Sequence, residues 1–136
     1  MKDRLVQATL EEMESRSLKF TMDDLARKLH ASKSSIYKIV DSKEDLIRLV
    51  MHWAMDKFDR KAAELLSGQG PVNRRLMAYC GLYFHTFWYL PDAVNEDLEA
   101  RYEEIWKEVS VKFSSVIHLT VDNYYLRGFG LISISV

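Results

Sequence analysis

The sequence predicts an all-helical (all-α) fold, and three observations lead to this prediction. Only five glycines and two prolines occur among 136 residues, whereas the strong helix formers Leu, Met, Glu, Lys and Arg are plentiful. Apolar residues recur every three or four positions through much of the chain. Hydroxyl residues precede several of these stretches, where they can cap helix amides. A chain of this length can bury one substantial core.

The first helix is predicted over residues 2–16, because Val6, Leu10 and Met13 recur at helical spacing. Its solvent side is expected to carry the acids Glu11, Glu12 and Glu14. A second helix is predicted to begin at Met22, with Thr21 as its cap and Asp23 and Asp24 near the positive end of its dipole.

Two more helix starts follow from serine caps. Ser32 is placed to cap a short third helix over residues 33–38, and Ser42 to cap a long fourth helix over residues 43–66. A turn around His30 separates the second helix from the third. Two short helices joined by a tight turn and backed by a longer helix match the helix-turn-helix arrangement, whose second helix enters the major groove of DNA.

The charge pattern agrees with a DNA-reading third helix. Between Arg27 and Val40 there are four cations and no acid, although the whole chain has a net charge of −1. Ile36 and Val40 are expected to point inward, which leaves hydrogen-bond donors and cations facing outward.

Residues 5–50 resemble the N-terminal domain of the TetR family of one-component transcriptional repressors. The segments that carry the resemblance are Leu5-Val6-Gln7-Ala8, Thr21-Met22-Asp23-Asp24-Leu25-Ala26, Ser32-Lys33-Ser34-Ser35-Ile36-Tyr37 and Ser42-Lys43-Glu44-Asp45-Leu46. By this resemblance the DNA contacts are Thr21, Lys33, Ser34, Ser35, Tyr37, Lys38 and Lys43.

The resemblance also implies an organisation and a function. Residues 1–45 would form a three-helix DNA-binding domain, and residues 46–136 a helical domain for effector binding and dimerisation, shortened relative to the family. The expected partners are a double-stranded DNA operator with an inverted repeat, a small-molecule effector and a second copy of the chain. The expected function is sequence-specific transcription regulation, as a repressor released from its operator by a small apolar or aromatic effector.

This sequence departs from the family pattern at several positions. Ser17 and His30 stand where the family usually has glycine, so each is expected to adopt a backbone geometry that glycine tolerates best. Ile39 and Val40 replace a histidine or other polar residue and a phenylalanine. These changes keep a second function open: a TetR-like helical protein-interaction module with weakened or lost operator binding.

Two helices are predicted in the second half, over residues 72–89 and 93–117, after a break at Gly68-Gln69-Gly70-Pro71. The first is expected to be a central, buried helix. Mixed aromatic and Met side chains suggest an effector pocket, although such a stripe is also typical of an ordinary core. The residues assigned to the pocket are Met77, Tyr79, Tyr83, Phe84, Phe87, Trp88, Tyr102 and Trp106.

The last segment, residues 119–136, contains a single cation, Arg127. Its ending, Ile132-Ser133-Ile134-Ser135-Val136, alternates like a strand, and Phe129, Leu131 and Ile132 are candidates for a dimer seam. The family usually continues with two more long helices that pair across the dimer, so the chain is expected to lack part of that surface.

No enzymatic activity, cofactor or metal is predicted. Cys80 and His85 are five residues apart, which does not place them on one helical face, and no zinc-type pair of Cys or His occurs. The single cysteine and the lack of a signal-peptide pattern predict a cytoplasmic protein. Charges interrupt every apolar run before the roughly 18 residues that a membrane span requires.

Overall fold

The computed structural model describes residues 1–87, 92–112 and 114–115 of the chain. In this part of the chain the secondary structure is helical and includes no strand, which confirms the predicted all-α class. In chain order the helices are α1 (Lys2–Arg16), α2 (Met22–Leu29), α3 (Lys33–Tyr37), α4 (Lys43–Ser67), α5 (Val72–Phe87) and α6 (Asp92–Arg101), and a further helical segment, α7, covers residues 103–112.

Side-chain caps fix the starts of three helices where the sequence predicted them. The Thr21 hydroxyl accepts the Asp24 N–H at 3.1 Å, and the Thr21 N–H donates to the Asp24 carboxylate at 2.8 Å, which is a reciprocal capping box. Ser32 accepts the Ser35 N–H at 3.2 Å. Ser42 accepts the Asp45 N–H at 3.1 Å and so begins α4.

The chain divides into two compact units, Met1–Ala54 with Leu90–Lys107, and Met55–Tyr89 with Glu108–Val136. The first unit has an apolar core to which α1, α2, α3, the first half of α4, and α6 with the start of α7 all contribute. Its fully buried side chains include Leu5, Met13, Leu18, Phe20, Leu25, Ile36, Leu46, Ile47, Val50, Val94, Leu98 and Ile105. Burial of each such side chain stabilises the fold by about 1.5–3 kcal/mol.

A smaller core in the second unit is formed by Phe58, Ala62 and Tyr79, with Leu82 packed against it. The rings of Phe58 and Tyr79 meet edge to face, with centroids 5.6 Å apart. In residues 72–82 of α5, Leu76 and Tyr79 are buried while Met77 is 68% exposed. The expectation that α5 is buried around most of its circumference is therefore wrong for this part, where one stripe faces the core.

One acid on α1 is buried, contrary to the sequence prediction. Glu12 was expected on the solvent side, but it is only 6% exposed. Its carboxylate lies 3.2 Å from Nε of Arg16 and 3.3 Å from Nζ of Lys28. Because two cations compensate the charge, the carboxylate can be buried where α1 packs against α2.

Within its described residues, 93–112 and 114–115, the helix predicted over residues 93–117 is interrupted at Tyr102. Tyr102 separates α6 from α7, yet its N–H donates to the Leu98 carbonyl at 2.8 Å and its carbonyl accepts the Trp106 N–H at 2.9 Å. Ile105 and Val109 are buried as predicted. The predictions for residues 88–89, 116–117 and 119–136, including the strand-like ending and the dimer seam, lie outside the described residues.

Candidate nucleic-acid interface

The connection between α2 and α3 is a tight, fully hydrogen-bonded turn. His30 adopts the left-handed conformation at φ 51°, ψ 42°, as expected for a position where glycine is common. The His30 N–H donates to the Arg27 carbonyl at 3.2 Å, and the Ala31 N–H donates to the Ala26 carbonyl at 3.0 Å. This pattern is a Schellman motif, which satisfies the last carbonyls of α2 and directs the chain to the cap of α3.

The short helix α3 has one buried face and one exposed face. Ile36 is fully buried, and Val40, just after the helix, is 6% exposed, as predicted. The outward side chains are all hydrogen-bond donors, and no acid is among them: Lys33, Ser34, Tyr37 and Lys38. The Tyr37 side chain is 43% exposed.

The three serines at the start of α3 share one hydroxyl cluster. Oγ of Ser32 lies 3.0 Å from Oγ of Ser34 and 2.8 Å from Oγ of Ser35. Ser35 is half-buried within this cap, whereas Ser34 is exposed. Of the two serines that were predicted to contact DNA, Ser34 is therefore the more accessible.

An exposed ion pair crosses from α2 to α3. Nζ of Lys33 lies 3.2 Å from Oδ1 of Asp23, and the two side chains are 48% and 64% exposed. A solvated pair of this kind contributes between about 0 and 1 kcal/mol to stability. The sequence pattern places Asp23 only near the dipole of α2 and does not reveal this ion pair, because residues ten positions apart on two different helices are not related by helical periodicity.

Thr21 is exposed at the start of α2 and uses an oxygen lone pair for its cap. Its hydroxyl hydrogen can therefore donate to another acceptor. The Thr21 backbone N–H and then the Thr21 side chain hold the pKa of Asp24 below its usual range, against a smaller opposing effect of burial. Arg16 also contacts the Asp24 carboxylate, at 3.3 Å.

The Lys43 side chain points toward the loop between α1 and α2. Its ammonium donates to the carbonyls of Leu18 and Phe20, both at 2.5 Å, and lies 4.5 Å from the centroid of the Phe20 ring. Burial first, and then the charge of Arg101, lower the pKa of Lys43. A phosphate contact by Lys43 would therefore require the ammonium to leave both carbonyls.

The residues predicted to line an effector pocket are distributed over both units. Met77 is exposed and Tyr79 is buried beside Phe58, both in the second unit. Tyr102 and Trp106 belong to the first unit and are half-buried, and burial raises the pKa of Tyr102. The side chains of Tyr83, Phe84, Phe87 and Trp88 lie outside the described residues, so the pocket stays a prediction.

A shallow groove of about 340 Å³, here called the groove beside α3, lies in the first unit and is lined by the segment that follows α3, the start of α1 and the first half of α4. Its lining combines apolar and charged side chains, among them Lys2, Ile39, Val40, Asp41, Arg48 and Leu49. The groove includes both positions, Ile39 and Val40, at which the sequence departs from the family pattern after Tyr37.

The residues that the structure describes include no group of three or more His, Cys, Asp or Glu side chains that could hold a metal ion. Burial raises the pKa of Cys80, which disfavours the reactive thiolate. None of the described helices is long and apolar enough to cross a membrane. The chain matches no protein-family model and no curated protein.

Proposed function

We propose that the chain is a sequence-specific DNA-binding transcriptional regulator of the TetR type and that α3 enters the major groove. The observation that carries the proposal is the two-faced character of α3. Ile36 anchors it in the core, and every outward side chain, including Lys33, Ser34, Tyr37 and Lys38, is a hydrogen-bond donor. Guanine O6 and N7 and the phosphate oxygens are acceptors, so this face is complementary to DNA.

The short connection between α2 and α3 supports the same function. The Schellman motif at His30 and the caps at Thr21 and Ser32 hold the two helices in one arrangement, so the reading side chains are positioned before DNA binds. Positioning before binding lowers the entropy that is lost on association. Thr21 and Ser35 flank the reading face, which is the exposed face formed by Lys33, Ser34, Tyr37 and Lys38. Lys43 would bind a phosphate of the DNA backbone if its ammonium left the two loop carbonyls that it binds.

The remaining parts of the proposal rest on the resemblance to the TetR family. They are a homodimer, an operator that is an inverted repeat, and release of that operator by a small apolar or aromatic effector. A two-fold dimer requires half-sites on one face of the duplex, about 34 Å or a multiple of it apart. Repression follows if the operator overlaps a promoter.

The test is recovery of fragmented genomic DNA from the source organism at near-physiological salt. The wild-type chain is compared with a Lys33→Ala, Tyr37→Ala double variant, which removes one ammonium and one exposed ring from the reading face. We expect the wild type to enrich a small set of fragments that share an inverted repeat, and the double variant to lose that enrichment.

A matched control variant makes the same change away from α3. Lys107 is 69% exposed and pairs with Glu103 at 3.1 Å, much as Lys33 pairs with Asp23, and Val72 has the same 43% exposure as Tyr37. The Lys107→Ala, Val72→Ala variant should therefore enrich the same fragments as the wild type. Recovery without sequence preference, unchanged in the reading-face variant, would contradict operator binding.

The groove beside α3 favours one other function, a helical protein-interaction module. Its apolar side chains Ile39, Val40 and Leu49 lie among charged ones, a composition suited to a short amphipathic segment of another protein. If this function is the correct one, an Ile39→Glu substitution abolishes capture of a protein partner, and the Lys33→Ala, Tyr37→Ala variant captures it normally.

A further inference from the structure

We propose that Asp23 and Lys33 act as one unit that reads a single C·G base pair. The inference rests on the proposed function and adds a specificity determinant to it, since Asp23 lies outside the set of residues assigned to DNA contact.

The two charged groups lie side by side on the exposed surface next to the reading face. Asp23 is in the first turn of α2 and Lys33 is the first residue of α3, with 3.2 Å between carboxylate oxygen and ammonium nitrogen. Both side chains keep about half or more of their surface in solvent. The pair therefore presents an acceptor directly beside a donor to any ligand that approaches α3.

The two neighbouring aspartates of α2 have different roles. Asp24 forms the capping box with Thr21 and lies near Arg16 and Arg27, at 3.3 and 3.6 Å. Asp23 takes no part in that cap, and its carboxylate faces Lys33 of the next helix. An acid at this place repels nearby phosphates, and a hydrogen bond accepted from a cytosine or adenine amino group would offset that cost.

The major-groove edge of a C·G pair matches this acceptor and donor in order. Cytosine N4 offers a donor, and guanine O6 and N7 follow it as two acceptors, with N4 and O6 about 2.9 Å apart, one hydrogen-bond length. Asp23 would accept from cytosine N4 while Lys33 donates to guanine O6 and N7. The distance of 3.2 Å between Oδ1 of Asp23 and Nζ of Lys33 is close to the distance between cytosine N4 and guanine O6.

An A·T pair also places a donor beside an acceptor, but its flanking groups are unfavourable. Adenine N7, an acceptor, would lie beside the Asp23 carboxylate, and the thymine methyl would lie beside the Lys33 ammonium. Both charged groups would then lose favourable contacts. The Asp23–Lys33 ion pair should therefore bind C·G more tightly than A·T at the same position.

The experiment selects bound sequences from a randomised duplex library with the full chain and with Asp23→Ala and Asp23→Asn variants. Helical circular dichroism confirms that each variant folds, and Asp23→Asn nearly preserves the shape of the side chain. We expect the wild-type motif to contain one C·G position in each half-site. That position should lose much of its preference for C·G in Asp23→Ala, where only the contact of Lys33 with guanine remains, and should accept A·T in Asp23→Asn, because asparagine pairs with adenine N6 and N7.

Measured affinities sharpen the test. At that position Asp23→Ala should lose about tenfold or more of the preference for C·G over A·T, while its binding to unrelated DNA strengthens because a negative charge is removed. Inosine in place of the guanine keeps the major-groove edge and removes only the minor-groove amino group, so it should bind as guanine does. Glu103→Ala, the matched loss of an exposed acid paired with Lys107, should leave the preference unchanged.

The failures of the two proposals are distinguishable. A wild-type motif that is identical in Asp23→Ala, together with a uniform rise in affinity for every sequence, would overturn the reading role of Asp23 and leave the operator-binding function intact. Selection of no motif by the wild type would overturn both proposals.

Discussion

The Ser17 hydroxyl donates a 2.6 Å hydrogen bond to Oδ2 of Asp97, which joins the turn after α1 to α6 within the first unit. Ser17 has φ 57° and ψ −133°, and the Lys19 N–H donates to the Arg16 carbonyl at 3.2 Å. These values match a type II′ turn, in which the position of Ser17 normally requires glycine. The hydrogen bond to a carboxylate, with a typical strength of about 1.5–3 kcal/mol, offsets a backbone strain of about 1 kcal/mol.

Ser17→Ala should destabilise the chain by about 1.5–3 kcal/mol, because it removes the hydrogen bond and keeps the strained backbone. Ser17→Gly should cost about 1 kcal/mol less than Ser17→Ala, because glycine relieves the strain. Urea unfolding measures both values. The nearby exposed Ser15 provides the control, and Ser15→Ala should change stability by no more than about 0.5 kcal/mol. Equal stabilities of wild type and Ser17→Ala would show that the hydroxyl is not bound to Asp97 in solution.

The hydrogen bond between Ser17 and Asp97 makes the free energy of unfolding depend on pH. The hydrogen bond from Ser17 is the largest cause that holds the pKa of Asp97 below its usual range. Because the folded state binds this proton less readily than the unfolded state, the contribution is complete above the ordinary carboxyl pKa of about 3.9 and is lost as the pH falls through the folded-state pKa. The stability difference between wild type and Ser17→Ala should therefore be constant from neutral pH to about pH 5 and should shrink as the pH falls below about 4. A pH-independent difference would contradict this linkage.

Local signals in the sequence predicted much of the fold. The starts of α2, α3 and α4 follow from Thr21, Ser32 and Ser42, since a cap acts over three residues and needs no knowledge of the rest of the chain. The exposure of Tyr37 and the burial of Ile36 follow from helical periodicity in the same way.

Features that depend on distant segments were not predictable from these signals. The Lys43 ammonium binds the Leu18 carbonyl 25 positions earlier, and Ser17 binds Asp97 80 positions later. Burial of Glu12 depends likewise on Lys28 of the next helix. In each case the packing of two elements decides which polar group receives a partner, and a pattern along one element carries no information about that.

His30→Gly should stabilise the chain by about 0.5–1 kcal/mol, because His30 adopts a left-handed conformation that glycine reaches without steric cost. The side chain of His30 is exposed, so its removal sacrifices little packing. Thermal and urea unfolding measure the effect, and the contrast with Ser17→Gly is the informative comparison. Both substitutions place glycine at a positive φ, yet only His30→Gly should raise stability. A loss of stability in His30→Gly would show that its side chain makes a contact in solution that outweighs the strain.

Lys43→Met should destabilise the chain by about 1–3 kcal/mol, because it leaves the carbonyls of Leu18 and Phe20 without the ammonium that they bind. Methionine keeps most of the length of the side chain, so the loss reports on the hydrogen bonds and on the charge above the Phe20 ring rather than on packing volume. Lys107→Met is the matched control, because Lys107 is 69% exposed and should change stability by no more than about 0.5 kcal/mol. Urea unfolding of the two variants gives the comparison. If both lose the same stability, the Lys43 ammonium does not hold the loop between α1 and α2 in solution, and it is available to bind phosphate from the outset.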